Sequence, residues 1–241
     1  MLTLPNDREH RLVPAGRVPI HGCPPTARRL PEVRPPAAGR NRYRPWRRTR
    51  YNRRMRPVEP TEITAGRLHL RPWRIYDTEA VYKACQDPEI PRWTQIPTPY
   101  ERRHAEDFIT RQTPAAWADG TGAYFAVVDA TTEVLLASVA LMEITPAGDA
   151  EIGYWCAVAA RGQGVVSQAV TAVTRWGFGA QGLARIEWRA AVGNLASLRV
   201  ARKTGFTLEG IQRAALVVGG GQRVDCWAGS RLPTDPPPPP D

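Results

Sequence analysis

The chain has 241 residues and a formal net charge of +10, from 33 Lys+Arg against 23 Asp+Glu. That length holds one or two ordinary domains. The charge is lopsided: residues 1–60 contain 15 arginines, no lysine and four acids, while the remainder is close to neutral, so the pI is no ground for reading the globular part as a nucleic-acid binder.

The first 58 residues are rich in Arg and Pro and poor in the apolar residues that offset the entropy of ordering. They read as a disordered arm. No apolar run of signal-peptide length follows a charged start, and residues 1–60 contain no serine, against a transit peptide. Three readings of the arm stay open: a translated leader with Met55 as the true start, a flexible tail, or a tether for nucleic acid or an anionic surface, since Tyr43, Trp46 and Tyr51 are interleaved with arginines over Arg42–Arg56. The body is expected over residues 61–232, followed by a Pro-rich tail over 233–241 with polyproline II character.

The four cysteines, Cys23, Cys85, Cys156 and Cys226, are widely spaced with no C-x-x-C pair, which points to the cytoplasm. The four histidines form no ligand-spaced pair, so no metal site is expected. The longest mostly apolar stretch, Val134–Met142, is far shorter than the ~20 residues of a membrane helix.

In chain order, Arg67–Arg74 reads as a strand. Asp77 is placed to cap a helix with Ala80, Val81 and Ala84 on its apolar face. Four prolines between Pro88 and Pro99 predict turns. Glu101–Gln112 reads as a second helix, and Gly120–Gly122 as a turn. Tyr124–Asp129 and the nearly continuous apolar run Val134–Ile144 predict a hairpin of strands, the second covered on both faces. Ala150–Val158 is a further strand. Val166, Ala169, Val170, Val173 and Trp176 recur at helical steps, predicting an amphipathic helix over Val165–Gly179. Arg185–Val192 alternates as a strand with one buried face. Asn194 caps a helix that runs to Lys203, with Gly205 as its left-handed stop. Two more strands are expected around Gly210–Val218 and Arg223–Leu232. The order gives an α/β chain with βαβ crossovers in its second half.

One local pattern carries chemistry. Arg161-Gly162-Gln163-Gly164 stands between a strand and an amphipathic helix. A helix N-terminus leaves backbone N–H groups unpaired at its positive end, and glycines let a phosphate approach them. The pattern is neither a P-loop nor a dinucleotide fingerprint, because no Lys-Ser/Thr pair follows and the glycine spacing differs. Alone it is as compatible with an ordinary loop. Asn194-Leu195-Ala196-Ser197 with Gly205-Phe206 is likewise fully explained as a capped helix with a glycine stop.

Together these segments resemble the GNAT acyltransferase superfamily, in its branch of ribosomal-protein N-terminal acetyltransferases (RimJ/RimL-like) and small-amine relatives. The resemblance spans about Ile63–Leu232. It rests on Ile63–Pro72, Glu151-Ile152-Gly153-Tyr154-Trp155, Arg161–Ala169, Arg175-Trp176-Gly177-Phe178, Gly193–Ser197 and Lys203–Gly210. It implies a single α/β domain with a mixed, mostly antiparallel central sheet flanked by helices. It implies acetyl-CoA as acyl donor and a primary amine, small molecule or protein N-terminus, as acceptor, with no membrane partner and no nucleic acid for the globular domain. Arg161, Gly162, Gln163, Gly164, Val165, Val166 and Ser167 fall on the family's pyrophosphate cradle; Val166 departs from its usual Gly or Ala. Cys156, Ala157 and Val158 fall on the strand end that bonds the pantetheine arm, and Asn194 on a pantetheine-contacting asparagine.

In this chemistry a neutral amine attacks the thioester carbonyl directly, so a base or water chain must take a proton and N–H donors must face the oxyanion. Donors are expected from Trp155–Val158. Glu151 is the base candidate, with a structural or substrate-binding role as the alternative. The position at which relatives carry a tyrosine acid matches Ala201 here. Ser197 is the candidate to contact the sulfur or the pantetheine, and Tyr154 is either an acid or a core or groove ring. Trp93, Trp117 and Tyr124 are expected to border the acceptor groove or to be core aromatics. Cys156 is not read as a nucleophile, since no histidine lies near it in sequence. The competing function is a catalytically inactive acyl-CoA-binding regulatory module.

Overall fold

The computed structural model describes residues 57–238. The expected disordered arm, 1–58, lies outside the described residues except for Pro57 and Val58. Val58 is buried, and its N–H donates to the Trp117 carbonyl at 3.0 Å, so the packed body reaches back at least this far.

Among the described residues, eight strands form one sheet in the order β1-β2-β3-β4-β5-β6-β8-β7. Strand β1 (Ile63–Ala65) turns through Gly66, at φ 55°, into β2 (Leu68–Pro72). The strand expected over Arg67–Arg74 is β2; the short β1 before it, and with it the hairpin, was not expected from the sequence. Then come β3 (Ala123–Asp129), β4 (Leu135–Met142) and β5 (Asp149–Cys156). Strands β6 (Arg185–Ala191), β7 (Thr207–Val218) and β8 (Gln222–Arg231) complete the sheet. All neighbours pair antiparallel except β5 and β6. Between those two the chain makes a crossover through helix α5 (Val165–Gly179), since parallel strands cannot be joined by a tight turn.

The remaining helices are α1 (Thr78–Ala84), α2 (Glu89–Trp93), α3 (Arg102–Asp107), α4 (Thr113–Asp119) and α6 (Leu195–Lys203). Two expectations change here. The proline-rich stretch holds α2 as well as turns. The second helix does not end at Gln112: α3 continues through a π-helical turn, Phe108–Gln112, into α4. Pro114 has no N–H to give back to the preceding turn, and the helix widens where that bond is missing. It stops at Gly120, in the left-handed conformation at φ 72°.

Strand periodicity sorts the core into two layers. Phe125 and Val127 of β3, Val139 and Leu141 of β4, Ile152 of β5 and Ile186 and Trp188 of β6 pack against Val165, Ala169, Val170 and Val173 of α5. The alternate residues Ala126 and Val128 face the other way, onto Trp73, Val81, Ala105 and Ile109 of the α1–α3 side. Because both faces of β3 and β4 are covered, these strands read as continuous apolar runs. Helix α5 reaches the sheet closely at Gly177, where an added Cβ would lie 3.0 Å from Leu141 Cδ1 and 3.3 Å from Ile186 Cδ1. No helix among the described residues is long and apolar enough to cross a membrane. Beyond β8 the chain folds into a turn rather than running straight on: Leu232 N–H donates to Asp235 at 2.9 Å.

Asp77 does not cap α1 with its side chain. Its carboxylate instead accepts both guanidinium arms of Arg71, at 2.7 and 2.9 Å, and the Arg74 N–H at 2.8 Å. Arg71 is wholly buried. The bond to Asp77 holds its pKa above the ordinary guanidinium value against the opposing pull of burial. Removing one partner of such a pair strands a charge in a medium that cannot solvate it. Asp77→Ala should therefore cost about 3–5 kcal/mol of unfolding free energy by urea titration. A loss below about 1 kcal/mol, the scale of an exposed pair, would contradict that account.

Candidate active site

Strands β5 and β6 pair at Asp149↔Arg185, Ala150↔Ile186 and Glu151↔Glu187, and then part. Beyond that point β5 stays bonded to β4 as far as Cys156, and β6 stays bonded to β8 as far as Ala191. The sheet thus opens into a wedge between its two central strands. Ala157 N–H donates to Leu136 O across the β4 side at 2.9 Å. The antiparallel ladder then requires that Gly153, Trp155 and Ala157 bond β4, and that Tyr154 and Cys156 turn their N–H and C=O groups into the wedge. The Cys156 carbonyl is met there by Arg161 Nη2, at 3.2 Å. Of the expected donors Trp155–Val158, only Cys156 turns its N–H into the wedge; Trp155 bonds β4, and Tyr154, outside the expected range, joins Cys156. Ala157 is committed to β4, and Val158 lies past the strand, exposed in a 3-10 turn, Val158–Ala160.

The N-terminus of α5 opens onto the same cavity, about 1330 Å³ in volume. Gly164 precedes the helix at φ 74°, with no side-chain cap and no acid in the first turn. Gln168 N–H bonds the Gly164 carbonyl at 3.0 Å. The amides of Val165, Val166 and Ser167 therefore have no intrahelical acceptor. A Cβ built on Gly162 or Gly164 meets nothing within 4 Å. Both glycines serve conformation, φ 75° and 74°, on an open surface. Gln163 braces the loop, accepting from Arg67 and donating to the Ala159 carbonyl, each at 2.7 Å. The Arg161 guanidinium is held by the Asp87 carboxylate and by Cys156 O. An uncapped helix end flanked by an arginine is chemically suited to a diphosphate.

The two faces of the wedge differ. On the α5–α6 face, Tyr154 packs into the core, and its hydroxyl lies 2.9 Å from Ser197 Oγ. Trp188 Nε1 donates to Tyr154 Oη at 3.1 Å and to Ser197 Oγ at 3.0 Å. Burial pushes the Tyr154 hydroxyl up to about 12. Asn194 accepts from Ser197 N–H at 3.0 Å, the expected helix cap. Ala201 is buried in the core, so no hydroxyl stands at that position. On the opposite face Glu151 is half-buried, and Arg189 Nε donates to its Oε2 at 2.9 Å. Burial raises the Glu151 carboxyl above the ordinary range despite the opposing pull of Arg189, and Glu143 and Glu187 add to the rise.

Trp93 and Tyr124 line the cavity, but Trp117 does not. It is buried in T-shaped contact with Phe125 at 5.2 Å and Trp176 at 6.0 Å, a core aromatic. Cys156 borders the cavity with its thiol pKa raised by burial, which disfavours the thiolate. Sequence reasoning missed Arg189, Trp188 and Asp87. The first two are legible as members of the β6 alternation, but only the register of β6 against β5 brings them to Glu151 and Tyr154. Nothing local marks Asp87.

Residues 67–207 match the model of the acetyltransferase (GNAT) domain. The chain belongs to this family of acetyltransferases. It is 34% identical over 99 residues to a Bacillus subtilis (strain 168) protein described as a probable N-acetyltransferase, YjcK, spanning 40% of this chain and 55% of that one. The match thus spans about half the length of that relative. A Bacillus licheniformis N-acetyltransferase, p20, is 28% identical over 61% of this chain and 83% of its own length. Among solved structures, Mycobacterium smegmatis RimJ, in complex with CoA-disulfide, superposes with a TM-score of 0.66 at 24% identity, over 74% of this chain and 90% of RimJ. The ribosomal-protein-S5-alanine acetyltransferase of Vibrio fischeri gives 0.64 at 22%, over 73% and 98%. At these identities the two structures are likenesses of fold, and the wedge and the glycine loop of this GNAT domain stand on its own residues.

Gly164 tests the loop. Alanine there meets open space but must adopt a left-handed conformation, at about 1–2 kcal/mol. Gly164→Ala should lower stability by that amount in urea unfolding. Unchanged stability would mean that residue 164 does not hold this backbone conformation.

Proposed function

We propose that this chain is a cytoplasmic N-acetyltransferase, transferring the acetyl group of acetyl-CoA to a primary amine, a small molecule or a protein N-terminus, by direct attack in a ternary complex. The observation that carries the reading is the wedge, with two strand amides turned into it and an uncapped helix N-terminus at its mouth. The complex of RimJ with CoA-disulfide supports the choice of donor.

On this reading the diphosphate rests on the amides of Val165, Val166 and Ser167, with Arg161 beside it. The pantetheine arm lies in the wedge past Asn194, exchanging hydrogen bonds with the main chain of Tyr154 and Cys156. One of those N–H groups faces the carbonyl oxygen as negative charge develops there. The amine enters from the opposite face, past Trp93 and Tyr124, and Glu151 takes its proton. The new C–N bond forms as the C–S bond breaks, and the electron pair leaves on sulfur. On this reading the base and the departing thiolate lie on opposite faces of β5, so neither blocks the other.

Calorimetry of the full chain with coenzyme A should give saturable binding, weakened in Arg161→Glu. Absence of saturable heat would sink the reading. A thiol-release assay over amines and peptides should then give turnover; binding without release across the panel would favour an inactive CoA-binding module. Mass spectrometry of lysate incubated with labelled acetyl-CoA would identify the acceptor.

The raised Glu151 carboxyl sets the pH dependence. As a base it works only when ionised, so kcat/KM should rise with pH through its elevated pKa. Glu151→Gln should lower kcat by about 10²–10⁴ and abolish that acidic limb, with coenzyme A affinity unchanged. Full turnover with an unchanged pH profile would remove Glu151 from the mechanism.

A further inference from the structure

On the face turned toward α1–α3 the sheet carries a hollow. The strand register there lines up Tyr124, Ala140 and Gly153 in one row and Ala126, Ser138 and Trp155 in the next. Ser138, Ala140 and Gly153 are small, and all three line the cavity. The rings around them are held in place. Trp155 stacks on Trp73 at 6.3 Å, Trp73 meets Phe108 edge-on at 5.5 Å, and Phe108 meets Tyr124 edge-on at 6.0 Å. Trp73 is buried behind, whereas Trp155, Phe108 and Tyr124 line the cavity. Toward Glu151 the floor continues through Met142, whose methyl fills the space over Gly153: a Cβ built there would lie 2.5 Å from it.

At the bottom of the hollow stands Ser138, buried to 5% exposure. Among the described residues its hydroxyl has no hydrogen-bond partner. The polar side-chain atoms there that are both sealed and unpartnered are Arg71 Nε, Trp73 Nε1, Trp117 Nε1 and Thr174 Oγ1. Ser138 Oγ is not one of them, so it opens onto the cavity that the residue lines. A buried hydroxyl left unpaired is costly, and such a group calls for an explanation. The charged side chains nearby are engaged elsewhere. Asp107 holds Arg111 and Gln112, Glu89 holds Arg92 and Trp93 Nε1, and His104 Nδ1 accepts the Glu101 N–H. Glu143 stands exposed. The hollow itself thus offers rings, a thioether and a neutral hydroxyl.

We propose that this hollow selects the acceptor, an arylalkyl primary amine with a hydroxyl on its ring, and that Ser138 is the specificity-determining residue that binds this hydroxyl. The inference rests on the acyl-transfer reading above and names its substrate class. The rings of Trp155, Phe108 and Tyr124 suit a flat apolar body, and the Met142 sulfur packs favourably on an aromatic ring. A polycation would find no free carboxylate in the hollow to offset its desolvation. The span agrees. Glu151 lies four residues along β5 from Trp155, the cross-strand partner of Ser138, a separation of about 13 Å at the usual strand rise. Hydrogen bonds of about 3 Å at either end leave about 7 Å, which a six-membered ring with a two-carbon arm fills from amine nitrogen to para oxygen. Ser138 can either donate to that oxygen or accept its proton. The amine then stands at Glu151 and the ring stands over Ala140 and Met142.

The test is steady-state thiol release at saturating acetyl-CoA, with tyramine, phenethylamine, spermidine and a peptide beginning with alanine as acceptors. Tyramine should give the highest kcat/KM, with phenethylamine about tenfold lower, the scale of one hydrogen bond. Ser138→Ala should bring these two within about twofold of each other by lowering tyramine alone, since only the hydroxyl contact is lost. Its coenzyme A affinity by calorimetry should match the wild type. A packing role for Ser138 would instead slow both amines together. Ala140→Leu should fill the hollow and lower both aryl amines by about tenfold or more, again with coenzyme A affinity unchanged. Should Ala140→Leu not fold, the ratio in Ser138→Ala decides alone. The inference fails if the wild type does not distinguish tyramine from phenethylamine, if Ser138→Ala slows both equally, if a folded Ala140→Leu handles the aryl amines normally, or if spermidine or the alanyl peptide is preferred. Each of these outcomes leaves acyl transfer standing. A wild-type chain that binds coenzyme A but releases no thiol with any acceptor overturns the acyl-transfer reading and this inference with it.

Discussion

Strands β5 and β6 hold one another for three residue pairs and then separate, each still bonded to its outer neighbour. Most of the site's chemistry depends on that parting. A sheet that stayed closed would spend the N–H and C=O groups of Tyr154 and Cys156 on β6. Because it opens, two consecutive outward-facing residues of β5 present main-chain groups to a cavity instead. Buried backbone groups left without partners are costly. Arg161, bonded to the Cys156 carbonyl, already answers one of them, and an extended amide-bearing ligand is suited to the others.

Strand alternation then divides the labour. Even-numbered side chains of β5 face α5 and α6, so Tyr154 meets Trp188 and Ser197 there. Odd-numbered ones face the other way, so Glu151 meets Arg189. The two poles sit in different electrostatic surroundings. The hydroxyl cluster is closed on itself and neutral. Glu151 is balanced between burial, which raises its pKa, and Arg189, which lowers it. Burial wins, so the carboxyl stands closer to the range where a base can both lose and regain a proton near neutrality. Without Arg189 the same burial would drive it further toward the neutral acid, which cannot accept the proton of an amine.

Elements with a single strong period were legible from the residues. Helix α5 was bounded at Val165 and Gly179 by its apolar repeat and preceding glycine, and α6 by Asn194 and Gly205. The failures share a physical cause: tertiary partners overrode a local signal. Asp77 has the composition and position of a helix cap, yet the buried Arg71 claims its carboxylate. Trp117, left open between groove and core, is a core aromatic because α5 supplies Trp176 to cover it. Strand β5 was expected to run through Val158, but it ends at Cys156, and after Ala157 the chain curls into the 3-10 turn Val158–Ala160. The site divided likewise. The glycine loop and Asn194 were visible because conformation demands them locally. Arg189, Trp188 and Asp87 were not, because their significance arises only from the register between strands distant in sequence.

Val166 stands where the family pattern usually has Gly or Ala, and the structure supplies a reason why it fits. On the proposed reading the groups that would face the diphosphate are main-chain amides at the first turn of α5, and a helical backbone conformation suits a β-branched residue well enough. The side chain of Val166 is partly buried against the core formed by Val165, Ala169 and their neighbours. Its bulk is thus directed at least in part into packing rather than onto the open surface where Gly162 and Gly164 have no neighbour within 4 Å of a built Cβ. A cradle made by side chains would be sensitive to such a replacement. One made by backbone dipoles needs only the helix to begin at this point and in this direction, and that is enforced by the left-handed Gly164 in front of it and by the apolar face of α5 behind.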